Sequence, residues 1–251
     1  MRISLLSSGS KANSTFVEAG DVRFLIDCGL SGKQTELRLN ELGVDPTTIK
    51  FIVISHEHSD HIRGVGTFSR KHKIPVFVNE ATKKFLPKSH AFETFVTGDE
   101  ISFSSTGKIK TVSIPHDAAD PVGFTVTADG LKLGHVTDIG RSTSLVKKEL
   151  MGCHVIVLES NHDPTMLIDC GYPWDLKARI QSTHGHLSNE ACGGLLLDVL
   201  NSDLQAVFLA HISENSNTTK KALETVTRYI PQGIHLQCGT VGASTGIFSL
   251  S

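Results

Sequence analysis

The sequence predicts an α/β protein built as sheets covered by helices, and three observations carry that expectation. Short runs rich in Val, Ile, Phe and Thr alternate with helix-forming stretches along the whole chain, the pattern of secondary-structure layers packed on a shared core. The runs Phe51-Ile52-Val53-Ile54 and Val207-Phe208-Leu209-Ala210 are continuously apolar, as strands buried on both faces are. At 251 residues, with 39% hydrophobic and 20% charged residues and a mean hydropathy of −0.02, the chain can enclose a sizeable core. No linker or low-complexity tract interrupts it, so a single domain over residues 1–251 is expected.

The elements follow in order. Residues 2–6, 14–18 and 22–27 are β-rich and separated by Gly, Asn and Asp, which predicts a hairpin-rich opening sheet. A helix is expected over 31–42, with Ser31 as its N-cap and Gly43 just past its end. A strand over 50–55 comes next, then a helix near 65–72, a strand at 76–78 and a short helix at 80–86. Strands are expected near 100–103, 108–114, 123–127 and 132–137. From Ser142 onward helix and strand take turns, with strands at 154–159, 206–210 and 233–237.

Composition removes several classes. The opening run Met1-Arg2-Ile3-Ser4-Leu5-Leu6 is too short for a secretory signal, and no later stretch approaches the roughly 20 apolar residues of a membrane span. The five cysteines are scattered without a C-x-x-C pair, so neither a disulfide framework nor a cysteine zinc site is indicated and a reducing cytoplasm is expected. A net charge of −2 argues against a protein that coats nucleic acid by charge alone, but not against a nuclease whose positive charge is carried by metal ions.

The informative number is 13 histidines. His56-Glu57-His58-Ser59-Asp60-His61 follows the apolar strand directly and offers neutral nitrogen and anionic oxygen donors, the set preferred by zinc and its first-row neighbours. A sharp turn there would let His56 and His58 face one ion while Asp60 and His61 face another. His116, Asp138 and His211 each end a predicted strand. Alone, each reads more readily as a surface or capping group than as a ligand; together they complete a set of five histidines and two aspartates.

H-x-H-x-D-H followed by His, Asp and His at strand ends resembles the metallo-β-lactamase fold over nearly the whole chain. That resemblance implies a four-layer αββα sandwich with two divalent metal ions, zinc foremost and manganese or iron as alternatives. It implies that His56, His58 and His116 hold the first metal, that Asp60, His61 and His211 hold the second, and that Asp138 bridges them. The segments Leu158-Glu159-Ser160-Asn161-His162-Asp163, Tyr172-Pro173-Trp174, Gly185-His186-Leu187-Ser188-Asn189 and Ala210-His211-Ile212-Ser213 are similar to the YycJ/WalJ group of bacterial nucleases, itself related to ribonucleases Z and J. Ser7-Ser8-Gly9-Ser10-Lys11-Ala12-Asn13-Ser14 resembles that group's opening loop, with Lys11-Ala12 departing from its small residues.

The resemblance implies phosphodiester cleavage of DNA or RNA, 5′-to-3′ and exonucleolytic, by a metal-bridging hydroxide, on a single strand or 5′ end and without a membrane partner. Asp60 would orient the nucleophile or accept its proton. His186 would donate a proton to the leaving oxygen, with Glu159 holding its ring. The same His186 segment also reads as a helix start capped by Ser188. Asp117 is a candidate to orient His116 through its second ring nitrogen. Ser10, Lys11 and Asn13 offer phosphate donors or a hairpin turn; Tyr172 and Trp174 offer base stacking or, more in keeping with aromatic residues, core packing. His162 and His184 are expected at the surface or behind the ligands, and His72, His90, His135, His154 and His235 as structural or solvated. A lactone or thioester hydrolase of the same fold is the alternative activity.

Overall fold

The computed structural model describes residues 1–250. Its strands are β1 (Arg2–Ser7), β2 (Ser14–Ala19), β3 (Val22–Ile26), β4 (Ile49–Val53), β5 (Pro75–Asn79), β6 (Ala91–Phe95), β7 (Glu100–Ser102), β8 (Lys108–Ser113), β9 (Val122–Ala128), β10 (Leu131–Val136), β11 (Val155–Glu159), β12 (Ala206–Ala210), β13 (His235–Cys238) and β14 (Phe248–Ser249). Its helices are α1 (Gly32–Glu41), α2 (Ser59–Ile62), α3 (Val65–His72), α4 (Glu80–Lys83), α5 (Ser144–Leu150), α6 (Pro164–Asp169), α7 (Trp174–Gln181), α8 (Asn189–Val199) and α9 (Thr219–Val226). They form two seven-stranded sheets, ordered β14-β1-β2-β3-β4-β5-β6 and β13-β12-β11-β10-β9-β8-β7.

Period-two alternation along the central strands explains why two sheets stack and helices cover both. In β4, Phe51 and Val53 enter the core between the sheets, while Ile52 packs outward with Leu39 of α1 and Phe68 of α3. In β11, Val155 and Val157 point inward, while Ile156 and Leu158 meet Val146 and Leu150 of α5 and Leu195 and Leu196 of α8. Each strand is therefore apolar on both faces, which is the continuous pattern of a buried strand. The result is four layers, helix, sheet, sheet and helix, as the resemblance implied.

Both sheets are mixed. β1, β2 and β3 pair antiparallel and β3 to β6 parallel; β7 to β10 pair antiparallel and β10 to β13 parallel. β8, β10, β11 and β12 thus run the same way and deliver their carboxyl ends to one edge of their sheet. The β9–β10 hairpin turns on Asp129 and Gly130, both with positive φ (52° and 79°), as a two-residue turn between right-twisted strands requires.

Most expected elements are present within a few residues. The strand expected over 50–55 stops at Val53 because Ser55 N turns to the Asp27 carboxylate at 2.8 Å instead of a neighbouring strand. The helix expected to reach residue 86 ends at Lys83. α2, β6 and β14 were not anticipated. β6 is largely solvent-facing and β14 contributes two residues at a sheet edge, so neither carries an apolar period to read.

Candidate metal centre

The carboxyl-terminal edge of the strands gathers the polar residues that follow buried runs. β4 leads through Ile54 and Ser55 to His56; the first turn of α2 then presents Asp60 and His61. His116 follows β8, Asp138 follows β10 and His211 follows β12. Asp27, directly after β3, has φ of 58°, Asp138 of 56° and His211 of 54°. Left-handed backbone at non-glycine residues costs about 1–3 kcal/mol each and persists only where surroundings enforce it. Here Asp27 N is fixed to Val53 O at 2.9 Å and His211 N to Ser8 Oγ at 2.8 Å.

Among the described residues four overlapping groups of donors could each hold an ion, among them Asp138, Glu159, His186 and His211, and His56, His61 and Asp138; the other two carry the expected ligands. His56, His58 and His116 bring one nitrogen each within 4.8 Å of one another, with His116 Nε2 3.3 Å from His58 Nδ1. Asp60, His61 and His211 form the second group, with Asp60 Oδ2 3.3 Å from His61 Nε2 and 3.6 Å from His211 Nε2. Asp138 lies between: Oδ2 is 3.2 Å from His61 Nε2, and Oδ1 is 3.8 Å from His116 Nε2. The structure thus brings together all seven residues expected as ligands.

Two buried atoms in this cluster, His56 Nε2 and Asp138 Oδ2, have no hydrogen-bond partner among the described residues. Orphaned buried polar atoms cost roughly 1–3 kcal/mol each, and a divalent cation satisfies both at once. With imidazole nitrogen and carboxylate oxygen on either side of Asp138, the residues fit a dinuclear site.

The atoms facing away from the cluster are held as metal-ligating histidines require. His61 Nδ1 meets Asp27 Oδ2 at 2.8 Å, His56 Nδ1 meets Ser55 Oγ at 3.0 Å, and His116 Nδ1 meets the Gly185 carbonyl at 3.2 Å. Glu159, fully buried, places Oε1 2.7 Å from His211 Nδ1 and 2.8 Å from His186 Nδ1. Its Oε2 accepts from the backbone of Ile139 and Leu187. Glu159 is thus a partner of both His211 and His186.

Electrostatics follow from this packing. Burial pushes His56 and His116 below the ordinary imidazole range and so keeps them neutral. For His61 burial acts the same way, but the Asp138 and Asp27 carboxylates outweigh it and raise the group. His211 is likewise opposed by burial and raised to about 10, chiefly by Asp138. Burial works against the charged form of Glu159, yet His186 and His211 hold it at about 2.

Other expectations meet mixed outcomes. Asp117 does not hold the second ring nitrogen of His116: its Oδ1 lies 3.5 Å from His116 Nε2, its Oδ2 pairs with Arg179 Nε at 2.5 Å, and the Gly185 carbonyl takes the place expected for it at Nδ1. Asn13 is buried and donates from Nδ2 to Asp60 Oδ2 at 2.9 Å. Lys11 pairs with Glu214. Trp174 is 74% exposed, under the Lys177 ammonium rather than in a core. Tyr172 Oη accepts from Asn215. His162 is buried, and burial lowers it to about 4, while His184 is exposed. Ser188 caps α8 by accepting from Ala191 N, so the helix start and the His186–Glu159 contact coexist.

Asp27, Ser55 and the Gly185 carbonyl were missed. Phe24-Leu25-Ile26-Asp27 does place a polar residue after a buried strand, but a lone carboxylate there reads equally as a cap.

Fold and donor set together define a metal-dependent hydrolase. The chain belongs to the metallo-beta-lactamase superfamily, whose sequence pattern matches residues 8–146. It is 33% identical over 239 residues to exodeoxyribonuclease YycJ of Bacillus anthracis, covering 92% of this chain and 90% of that protein. It is 32% identical over 239 residues to exodeoxyribonuclease WalJ of Streptococcus pneumoniae, covering 92% and 88%. Among solved structures it resembles the metallo-beta-lactamase fold protein YhfI of Bacillus subtilis, with a TM-score of 0.74 at 14% identity over 97% of this chain and 98% of the other.

Proposed function

We propose that the chain is a dinuclear phosphodiesterase that degrades nucleic acid as a 5′-to-3′ exonuclease, on DNA or RNA, with His56, His58 and His116 at one cation, Asp60, His61 and His211 at the other, and Asp138 between them. Zinc is the ion the nitrogen-rich donors favour, with manganese and iron as alternatives. Two such ions lower the pKa of water and neutralise the charge that builds on a phosphoryl group in flight.

The observation that carries this reading is the shared carboxylate of Glu159. It holds a ligand, His211, and a non-ligand, His186, on the two arms of one oxygen. His186 stands beside both halves of the centre, its ring 5.2 Å from that of His116 and 5.0 Å from that of His211. With Nδ1 fixed by Glu159, Nε2 has no partner among the described residues and supplies the proton that a departing alkoxide of a phosphodiester needs. Asp60, partly exposed and steadied by Asn13, orients the attacking water from the other side. The names of the two sequence relatives, both exodeoxyribonucleases, support the same substrate class.

The test is release of mononucleotides from a 5′-labelled single strand, DNA and RNA separately, alongside a lactone and a thioester. Turnover of the strand with His186→Ala lowering kcat by about 10²–10⁴ at little change in KM is expected. Turnover of only the lactone or thioester would replace the substrate class.

A further inference from the structure

Charge is spread unevenly along this chain, and one surface beside the centre collects the positive part. Residues 63–92 hold seven of the 24 Lys and Arg residues, namely Arg63, Arg70, Lys71, Lys73, Lys83, Lys84 and Lys88, against Glu80 alone of the 26 Asp and Glu residues. The whole chain nonetheless carries a net charge of −2. Such segregation is the footprint of a surface that meets a polyanion. Lys83-Lys84-Phe85-Leu86-Pro87-Lys88 also sets an aromatic residue among the cations.

The fold holds these side chains together and keeps them in water. Leu86 packs against the core under α1 and α3, which leaves Phe85 60% exposed. The segment after α4 is fastened to α3, since Arg70 donates to the Lys88 carbonyl and His90 N donates to Ser69 Oγ at 3.0 Å. A Cβ on Gly66 would meet Lys88 O at 2.8 Å, so glycine is what lets α3 come this close. Arg63 and Gly64, both helical in backbone, join α2 to α3. Arg63, Gly66 and Arg70 are spaced by three and four and so share the face turned to this segment. Arg63, Arg70, Lys84 and Lys88 are exposed and, among the described residues, take part in no ion pair.

The acids near this surface do not cancel it. Glu36 binds Lys71 and His72, and Glu80 binds Lys83. Glu57 accepts from Thr82 Oγ1 and Ala119 N, and Asp120 accepts from Thr97 Oγ1. Glu93 is paired with Phe77 across β5 and β6; Phe77 packs on the core between the sheets, so Glu93 points to the face away from α3 and α4. Setting Glu36, Glu57, Glu80 and Asp120 in full against the seven cations still leaves the surface positive. It also adjoins the open side of the centre. Of the seven clustered donors only His58 and Asp60 are part-exposed; Arg63 follows His61 by two positions, and α4 reaches Glu57, between His56 and His58, through Thr82 Oγ1 at 3.4 Å.

We propose that this surface holds the substrate strand beyond the scissile diester, with Arg63, Arg70, Lys84 and Lys88 countering phosphates and Phe85 stacking on an unpaired base. The assignment rests on the phosphodiesterase reading and extends it. Phosphate contacts place a strand without reading its sequence, and an aromatic face accepts any base.

The test compares a single-stranded oligonucleotide with bis(p-nitrophenyl) phosphate, a diester with no strand beyond the scissile bond. In Lys84→Ala/Lys88→Ala the ratio of kcat/KM for the oligonucleotide to that for the small diester should fall about tenfold, and the slope of log KM against log salt should flatten by about 1.4, two phosphate contacts of a single strand. Phe85→Ser should lower the ratio about tenfold at an unchanged salt slope, and Phe85→Trp should restore it. Lys147→Ala/Lys148→Ala removes equal charge from α5, over the other sheet, and should leave the ratio in place. An unchanged ratio in the first two variants, an equal loss on both substrates, or an equal fall in the α5 variant overturns the surface while leaving the phosphodiesterase reading standing. A wild-type enzyme that hydrolyses the small diester and leaves every oligonucleotide intact overturns that reading instead. Equal competition by a blunt duplex would overturn the stacking of Phe85 on an unpaired base.

Discussion

One carboxylate supports a donor in each half of the centre. Asp27 Oδ1 accepts from Ser55 N, and Oδ2 lies 2.8 Å from both Ser55 Oγ and His61 Nδ1. Ser55 Oγ is in turn 3.0 Å from His56 Nδ1, so Asp27 acts on the first cation group through Ser55 and on the second through His61. Loss of such a partner weakens metal affinity by about 10–100-fold. Asp27→Asn is therefore expected to lower the affinity of both sites, whereas Ser55→Ala, with Oγ 3.0 Å from His56 Nδ1 and 3.4 Å from His61 Nδ1, lowers chiefly that built on His56. Metal titration followed by elemental analysis separates the two, and a loss confined to one site in Asp27→Asn would refute the shared role. Four of the seven clustered donors were legible in the sequence because three histidines and an aspartate fall within six residues, which chance seldom arranges. Asp27 was not, because a lone carboxylate after a strand is a common capping group. Its role depends on the left-handed backbone that turns it under His61, and no local pattern announces that.

At the scale of elements, the sheets are joined by a polar contact as well as by apolar packing. His135 on β10 places Nε2 3.0 Å from Thr15 Oγ1 on β2, across the interface between the two sheets. Burial lowers this imidazole to about 4; the Asp27 and Asp138 carboxylates pull it up and His61 pushes it down, without reversing that shift. Its folded value lies below the unfolded value of about 6.5, so the unfolded chain binds the proton first. The stability tied to neutral His135 is then fully present above pH about 6.5 and lost progressively as pH falls toward 4. Denaturant unfolding between those limits should show wild type losing on the order of 2–3 kcal/mol more than His135→Gln. Parallel acid profiles for the two proteins would sink this account. Strands such as β4, β11 and β12 were legible because they are apolar on both faces. β6 and β14 were not, because edge strands are held by backbone pairing, which side-chain periodicity does not encode.

For the whole molecule, the centre is a second connection between the two sheets. His56, His58, Asp60 and His61 follow β4 of one sheet, while His116, Asp138 and His211 follow β8, β10 and β12 of the other. Each cation group takes donors from both sides: His116 completes the group begun by His56 and His58, and His211 completes that of Asp60 and His61. A cation bound here therefore stabilises the stacking of the sheets, because the unfolded chain cannot gather donors from positions so far apart in sequence. Occupancy at a thousand times Kd adds about 4 kcal/mol per site, and for a chain of this size each kcal/mol moves the midpoint by roughly 2–4 °C. Exhaustive chelation should lower Tm by ~10 °C or more, and readdition of zinc or manganese should restore it in step with measured metal content. His116→Ala and His211→Ala, each removing the donor that crosses between sheets, should shrink the shift to that of one remaining site. A protein stripped of metal, as shown by elemental analysis, that melts at the same temperature as the loaded form would mean that the seven side chains do not clamp the sheets through bound cations.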